Sequence, residues 1–226
     1  LRQSLNAPLK FRELPQIPQF LLRLLDAGRG SNIRFKVSTN GTRLLTPAWQ
    51  RIVTGFESAT VMVSVDALDQ QFYYMRHPAT WARVERTIDQ ILELEHSNPG
   101  VRLQPVMTVS ALNVWAIPAV SQYFQRRCGR DPYLILVQWP RYYCVNVLPD
   151  PVRTAVETHL AGRWPAVTRL MWSQPRLNNP ADTRISTPWQ EFQQWTQIKD
   201  RYRGESWIET FDEIGAHVLK SGKWYE

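Results

Sequence analysis

The sequence predicts an α/β chain built on a parallel sheet, with a helical extension at its end. Three observations predict it. Four short β-branched runs alternate with amphipathic stretches between residues 34 and 138. The runs start 26, 41 and 32 residues apart, which leaves room for a helix in each crossover, as parallel pairing requires. After Leu148 only helix-like segments follow, so the expected division is 1–148 for the α/β body and 149–226 for the extension.

The runs are Arg34–Thr39, Thr60–Val65, Val101–Val109 and Tyr133–Gln138. Phe20 to Ala27 is apolar on one face and stops at Gly28. Thr46-Pro47 reads as a cap with proline at the first helical position, leading into Trp49, Ile52 and Val53. Trp81, Val84, Ile88, Ile91 and Leu92 repeat at helical spacing, as do Ile117, Val120 and Phe124 after Asn113. In the extension, Asp150-Pro151 opens a helix that closes at Gly162. Thr187-Pro188 opens another, with Trp189, Phe192, Trp195, Ile198 and Tyr202 on one face and Gly204 as its stop. Thr210 and Glu213 have capping-box spacing for a last short helix, and Trp172 to Ser186 reads as a loop.

Composition narrows the function classes. Of 226 residues, 43% are hydrophobic and 21% charged, which excludes disordered and fibrous chains. A chain this long can bury enough surface to fold without disulfides. Ten glycines against 16 prolines mean few flexible joints and many fixed turns, and the ten scattered tryptophans read as packing anchors. No run of 18 apolar residues exists, so no membrane partner is expected. Leu1-Arg2-Gln3 carries neither Met nor an apolar signal region and reads as an internal start. Two cysteines, Cys128 and Cys144, are too few for a disulfide framework or a self-contained four-iron cluster, and they fit a cytoplasmic setting. His77, His96, His159 and His217 lack ligand spacing, so no metal site is expected. The net charge of +7 comes from 22 Arg and five Lys against 20 acids, but the arginines are dispersed. Nucleic acid is therefore not the expected partner.

In a parallel α/β sheet, chemistry collects at the carboxyl ends of the strands. The first run ends in Ser38-Thr39-Asn40-Gly41 and the second in Ser64-Val65-Asp66-Ala67, with Arg76 ten residues after Asp66. The third leads through Ser110 to Asn113, and the fourth ends in Gln138-Trp139-Pro140. Hydroxyls, amides, a carboxylate and an arginine on one rim suit a zwitterionic, hydroxylated ligand. Arginine offers a carboxylate a bidentate fork, and Asp or Asn can bond sugar hydroxyls. Each residue alone also has a plainer role as a cap or a turn.

Taken in order, Ser38-Thr39-Asn40-Gly41-Thr42, Ser64-Val65-Asp66-Ala67, Tyr74-Met75-Arg76 and Trp81 to Ile88 resemble radical S-adenosylmethionine enzymes, most closely the SPASM/twitch-type members. The likeness continues through Leu112-Asn113-Val114, Ile117-Pro118, Pro140-Arg141-Tyr142 and Asn146 to Pro149, and into Trp195 to Gly204 and Thr210 to Ile214. It implies a partial parallel (β/α) TIM-like barrel of the radical SAM type with a C-terminal helical extension. Such enzymes reductively cleave S-adenosylmethionine at a 4Fe-4S cluster and modify a peptide or small-molecule substrate by hydrogen abstraction, with a reductant protein as partner. By position, Ser64 and Arg76 would hold the methionyl carboxylate, and Asn40 would lie near the methionyl end. Asp66 would lie near the ribose, and the backbone at Asn113 and Val114 would line the adenine. The family's CxxxCxxC motif is absent, and Asn6-Ala7 stands where its GGE motif should fall. The cluster ligands are thus missing from this chain. Two forms of the likeness remain open: the SAM-binding C-terminal half of an enzyme, inactive alone, or a cluster-free pseudoenzyme that binds without chemistry. A basic nucleic-acid-associated protein is the third alternative.

Overall fold

Parallel strands follow one another across the sheet in chain order. The computed structural model describes residues 9–10, 16–173, 187–222 and 224. Its strands are β1 (Leu9–Lys10), β2 (Arg34–Thr39), β3 (Ser58–Ser64), β4 (Val101–Val109) and β5 (Tyr133–Leu136), in the order β1-β2-β3-β4-β5. The pairings from β1 through β4 are parallel, with Val37 opposite Val61 and Val61 opposite Leu103. The helices are α1 (Gln16–Asp26), α2 (Pro47–Gly55), α3 (Asp69–Arg76), α4 (Trp81–Ser97), α5 (Ile117–Cys128), α6 (Asp150–Leu160), α7 (Pro165–Ser173), α8 (Pro188–Arg203), α9 (Trp207–Thr210) and α10 (Asp212–Lys220). Among the described residues, no helix is long and apolar enough to cross a membrane.

The expected α/β class with a parallel sheet is what forms, and the four strand runs fall where the sequence puts them to within about two residues. Two compact units are present: Leu1–Val65 with Arg76–Met107 and Gln122–Tyr133, and Asp66–Met75 with Thr108–Ser121 and Leu134–Glu226.

In the first unit, Val37, Ala59, Val61, Val63 and Leu103 are fully buried, with Ile52 and Val53 of α2 and Val84, Ile88 and Ile91 of α4. The Thr46 hydroxyl accepts the Trp49 N–H to start α2, with Pro47 at its first position, as the sequence predicts. Strand β4 contains Pro105, which a central strand does not ordinarily tolerate because it has no N–H. The bonding pattern explains it. Residues 100 and 106 bond toward β3, through Ala59 N–H to Gly100 O and Val65 N–H to Val106 O. By alternation, Leu103 and Pro105 face the β5 side. At Leu103 side chains take the place of a strand: Glu95 Oε2 of α4 accepts the Leu103 N–H at 2.9 Å, and Arg130, two residues past α5, donates to Leu103 O at 2.9 Å. Arg130 and Glu95 also form a bidentate ion pair. Burial alone would raise the Glu95 carboxyl, but the Arg130 hydrogen bond and the Leu103 N–H hold it below the usual range.

The second unit is helical and aromatic. Thr187 and Gln190 form a reciprocal capping box at the start of α8, and Gly204 stops it at φ 64°. The predicted capping box at Thr210 does not form. The Ser206 hydroxyl accepts the Glu209 N–H to start a separate turn, α9, which Thr210 closes, and the expected last helix follows as α10 without a side-chain cap. Trp207 explains the choice: starting α9 there buries its ring completely among Phe192 and Phe211 and brings Nε1 to Leu112 O at 3.1 Å. Trp172 and Ser173, expected in a loop, end α7, and the rest of that loop lies outside the described residues.

Candidate functional site

The sheet of the first unit has two unlike faces. Alternation along β2, β3 and β4 puts the buried valines on one. On the other stand Lys36, Ser38, Thr60, Met62, Ser64 and Gln104, all exposed or half-buried. Ser38 lies opposite Met62 in register, its hydroxyl 4.0 Å from the Met62 sulfur. The buried Val106, opposite Ser64 in register, is the apolar exception on this face among the described strand residues.

At the carboxyl end this polar face finishes in two of the predicted residues. Thr39 pairs with Val63, so the next residues, Asn40 and Ser64, leave the strands side by side. The Asn40 side-chain oxygen turns back to accept Thr42 N–H at 3.2 Å and the Thr42 hydroxyl at 2.8 Å. That leaves the Asn40 NH2 as a donor without a partner among the described residues. Gly41 makes the turn possible. It sits at φ 70°, and a Cβ there would stand 2.8 Å from Val84 Cγ1 and 3.2 Å from Val63 Cγ1. The half-buried Ser64 hydroxyl likewise has no hydrogen-bond partner among the described residues. Arg76 belongs to this unit as the last residue of α3. It is half-buried, and its carbonyl accepts the Ala79 N–H. The segment that carries Arg76 forms α3 over Asp69–Arg76.

In the second unit the structure brings together Asp66 and Asn113. Thr108 N–H points along the direction in which β3 would have continued, and the Asp66 carboxylate accepts it at 2.9 Å. Asn113 is fully buried and uses its whole amide. Its oxygen accepts Ser110 N–H at 2.8 Å and the Ser110 hydroxyl at 2.9 Å; its NH2 donates to Asp66 O at 2.8 Å and Thr108 O at 3.0 Å. Side chains thus continue the ladder where the strand has stopped. Asn113 is a bracket that fixes the backbone from 108 to 114, with its own N–H and that of Val114 both donating to Ser110 O.

A second polar cluster in that unit is not legible in the sequence, because its members are over a hundred residues apart. Tyr74, fully buried, donates to Asp200 Oδ1 at 2.7 Å, and Asp200 Oδ2 accepts Trp207 N–H at 2.9 Å. Arg203 donates to Tyr74 O at 3.0 Å, and Lys199 Nζ stands 3.5 Å from the Tyr74 ring centre. Burial, and then the Arg203 guanidinium, push the Lys199 amine down to about 8, against the pull of Asp200 and Glu205. Burial first, then the bond to Asp200, raises the Tyr74 phenol.

These shifts set the pH dependence of stability. Between about 8 and the ordinary value of 10.5, unfolded Lys199 holds a proton that the folded chain has released, so stability rises with pH across that window. Above 10 the Tyr74 phenol opposes it, since only the unfolded chain then loses that proton. Lys199→Met is expected to be stabilised relative to the unsubstituted chain at pH 7.5, with the difference shrinking toward pH 10. Urea unfolding at both pH values checks this; a difference that does not change with pH contradicts it.

Neither thiol is poised for chemistry. Burial raises both, Cys128 with its sulfur 3.3 Å from Phe124 O and Cys144 at 2% exposure. Among the described residues no group of three or more His, Cys, Asp or Glu could hold a metal ion. The residues present therefore do not fit a four-iron cluster. His159 and His217 meet on one ring, His159 stacked on Trp115 at 4.0 Å and His217 tilted against it at 5.2 Å. That arrangement packs α6 and α10, which are in contact, around Trp115. Comparison with known proteins returns no matching family model, no matching curated protein and no matching solved structure.

Proposed function

We propose that this chain is the S-adenosylmethionine-binding part of a radical SAM enzyme of the SPASM/twitch type, on a partial parallel barrel. The whole enzyme would cleave S-adenosylmethionine reductively and modify a peptide or small-molecule substrate. The observation that carries the reading is the carboxyl end of the parallel sheet, where Asn40 and Ser64 leave neighbouring strands side by side, their NH2 and hydroxyl without a partner among the described residues. Two donors of that kind, with Arg76 in the same unit, suit the carboxylate of a methionyl group. Asp66 and Asn113 belong to the other unit, where both bond protein groups, and the reading does not rest on them. The cluster ligands would have to come from outside this chain, so no redox step is derived for it. A cluster-free binding module on the same scaffold is the second reading, favoured by the two inert thiols.

Equilibrium dialysis of the full chain against radiolabelled S-adenosylmethionine tests the binding that both readings share. Retention of the ligand is expected, with Arg76→Ala weakening it about tenfold to a hundredfold and Ser64→Ala about tenfold. No retention, or retention that neither substitution changes, rules out the site.

A further inference from the structure

The second unit leaves an unusual set of aromatic rings in solvent. Trp139 is 78% exposed, Tyr202 89% and Trp195 49%. They are not scattered. Trp139 stands two residues before the 3-10 turn Arg141–Tyr143, which packs against α8, and Tyr142 of that turn stacks on Trp195 at 5.9 Å and 18°. Tyr202 lies two helical turns beyond Trp195 on the same stripe of α8, with Ile198 between them at 56% exposure.

Within the described segments 139–143 and 195–202 the exposed charged residues are Arg141 and Arg201. The acids nearest on α8 are turned to other work: Asp200 accepts from Tyr74 and Trp207, and Glu191 is half-buried in the first turn. A second copy of this chain is a poor occupant, because a two-fold contact would set arginine against arginine between molecules of net charge +7. An apolar peptide groove would be lined with aliphatic side chains, and Ile198 is the one exposed aliphatic among the described residues of this stripe. Flat rings with open faces, edged by guanidinium groups, match a partner that is itself flat-faced and anionic along its length.

We infer that Trp139, Tyr142, Trp195 and Tyr202, with Arg141 and Arg201, form a binding surface for single-stranded nucleic acid, the rings stacking bases and the arginines meeting phosphates. The arginines come from segments sixty residues apart, which is why a scan for contiguous basic stretches passes over them. The surface is independent of the S-adenosylmethionine reading.

The test uses the full chain and fluorescein-labelled dT20 and rU20, followed by anisotropy from 0.05 to 0.2 M salt. Saturable binding is expected, with Trp139→Ala and Tyr202→Ala each weakening it about tenfold, the weight of one stacked base. Arg141→Gln with Arg201→Gln should flatten the log–log salt slope by about 1.4, for two phosphate contacts on a single strand. Arg43→Gln, an exposed arginine of the other unit, should leave the slope within half of that. A stronger response to dT20 or to rU20 sets which sugar is preferred, and either supports the surface. Four results overturn it: no binding to either strand; equal binding of a 20-base-pair duplex; an Arg43→Gln effect as large as that of the double variant; or binding to phosphatidylglycerol vesicles that the same ring substitutions abolish. Circular dichroism confirms that the variants fold, as expected for exposed positions.

Discussion

Trp207→Ala is expected to remove about 4–5 kcal/mol from unfolding stability, the largest loss from any single side chain in the second unit. The ring is fully buried between Phe192 and Phe211, edge-on to the first at 5.2 Å. Truncation deletes its transfer energy and leaves a cavity among neighbours that are themselves rigid rings and collapse poorly. It also leaves Leu112 O without the indole N–H that reaches it at 3.1 Å. Trp207→Phe separates the two contributions: it keeps most of the volume and loses only the bond, so about 1–3 kcal/mol should go. Urea denaturation followed at 222 nm measures both, and a loss below about 1 kcal/mol in Trp207→Ala would contradict this packing.

Asn113→Ala should cost about 3–4 kcal/mol, although it removes only a small side chain. The amide serves four protein groups at 2.8–3.0 Å in a site with no exposed surface. Its removal strands the Ser110 N–H and the carbonyls of Asp66 and Thr108, and buried groups left unpaired cost about 1–3 kcal/mol each before any water enters. Asn113→Asp is the sharper probe. It keeps the acceptor toward Ser110 but sets a second oxygen against two carbonyl oxygens. The new carboxyl is therefore favoured in its protonated form, and the variant should gain relative stability as pH falls, the reverse of the usual carboxylate. A variant as stable as Asn113 at neutral pH would mean that the bracket is not closed as described.

These two residues also mark how far the sequence could be read. Period and β-branching were enough for β2 through β5, because a parallel strand buried on one face leaves that signature locally. Asn113 was legible as a polar residue near a strand end, but not as a bracket. One of its partners, Asp66, is 47 residues away, and only the path of β3 and β4 brings the two together. Trp207 lost out to a degenerate local signal: Ser206 and Glu209 have the same capping spacing as Thr210 and Glu213, and tertiary burial of the indole decides between them. Helix α3 was missed because Phe72 and Tyr74 alternate as a strand would, while the partner of Tyr74, Asp200 of α8, lies far along the chain. Asn40 and Ser64, by contrast, were readable as a pair. Strand register alone places them together, and register follows from the hydrophobic pattern.

The ion pair over β4 has a consequence for how molecules of this protein meet one another. A strand that shows unpaired N–H and C=O groups is a template on which another chain's extended segment can add, and that addition is the first step toward ordered aggregation. Along the outer side of β4, Pro105 has no N–H to offer. At Leu103 both backbone groups are already occupied, by Glu95 and by Arg130. Two side chains and a proline thus leave a foreign strand little to pair with on the stretch of this flank ahead of β5. The same hydrogen bonds that block the strand hold Glu95 below the usual carboxyl range, so the ion pair lasts to more acid pH than a free glutamate would allow.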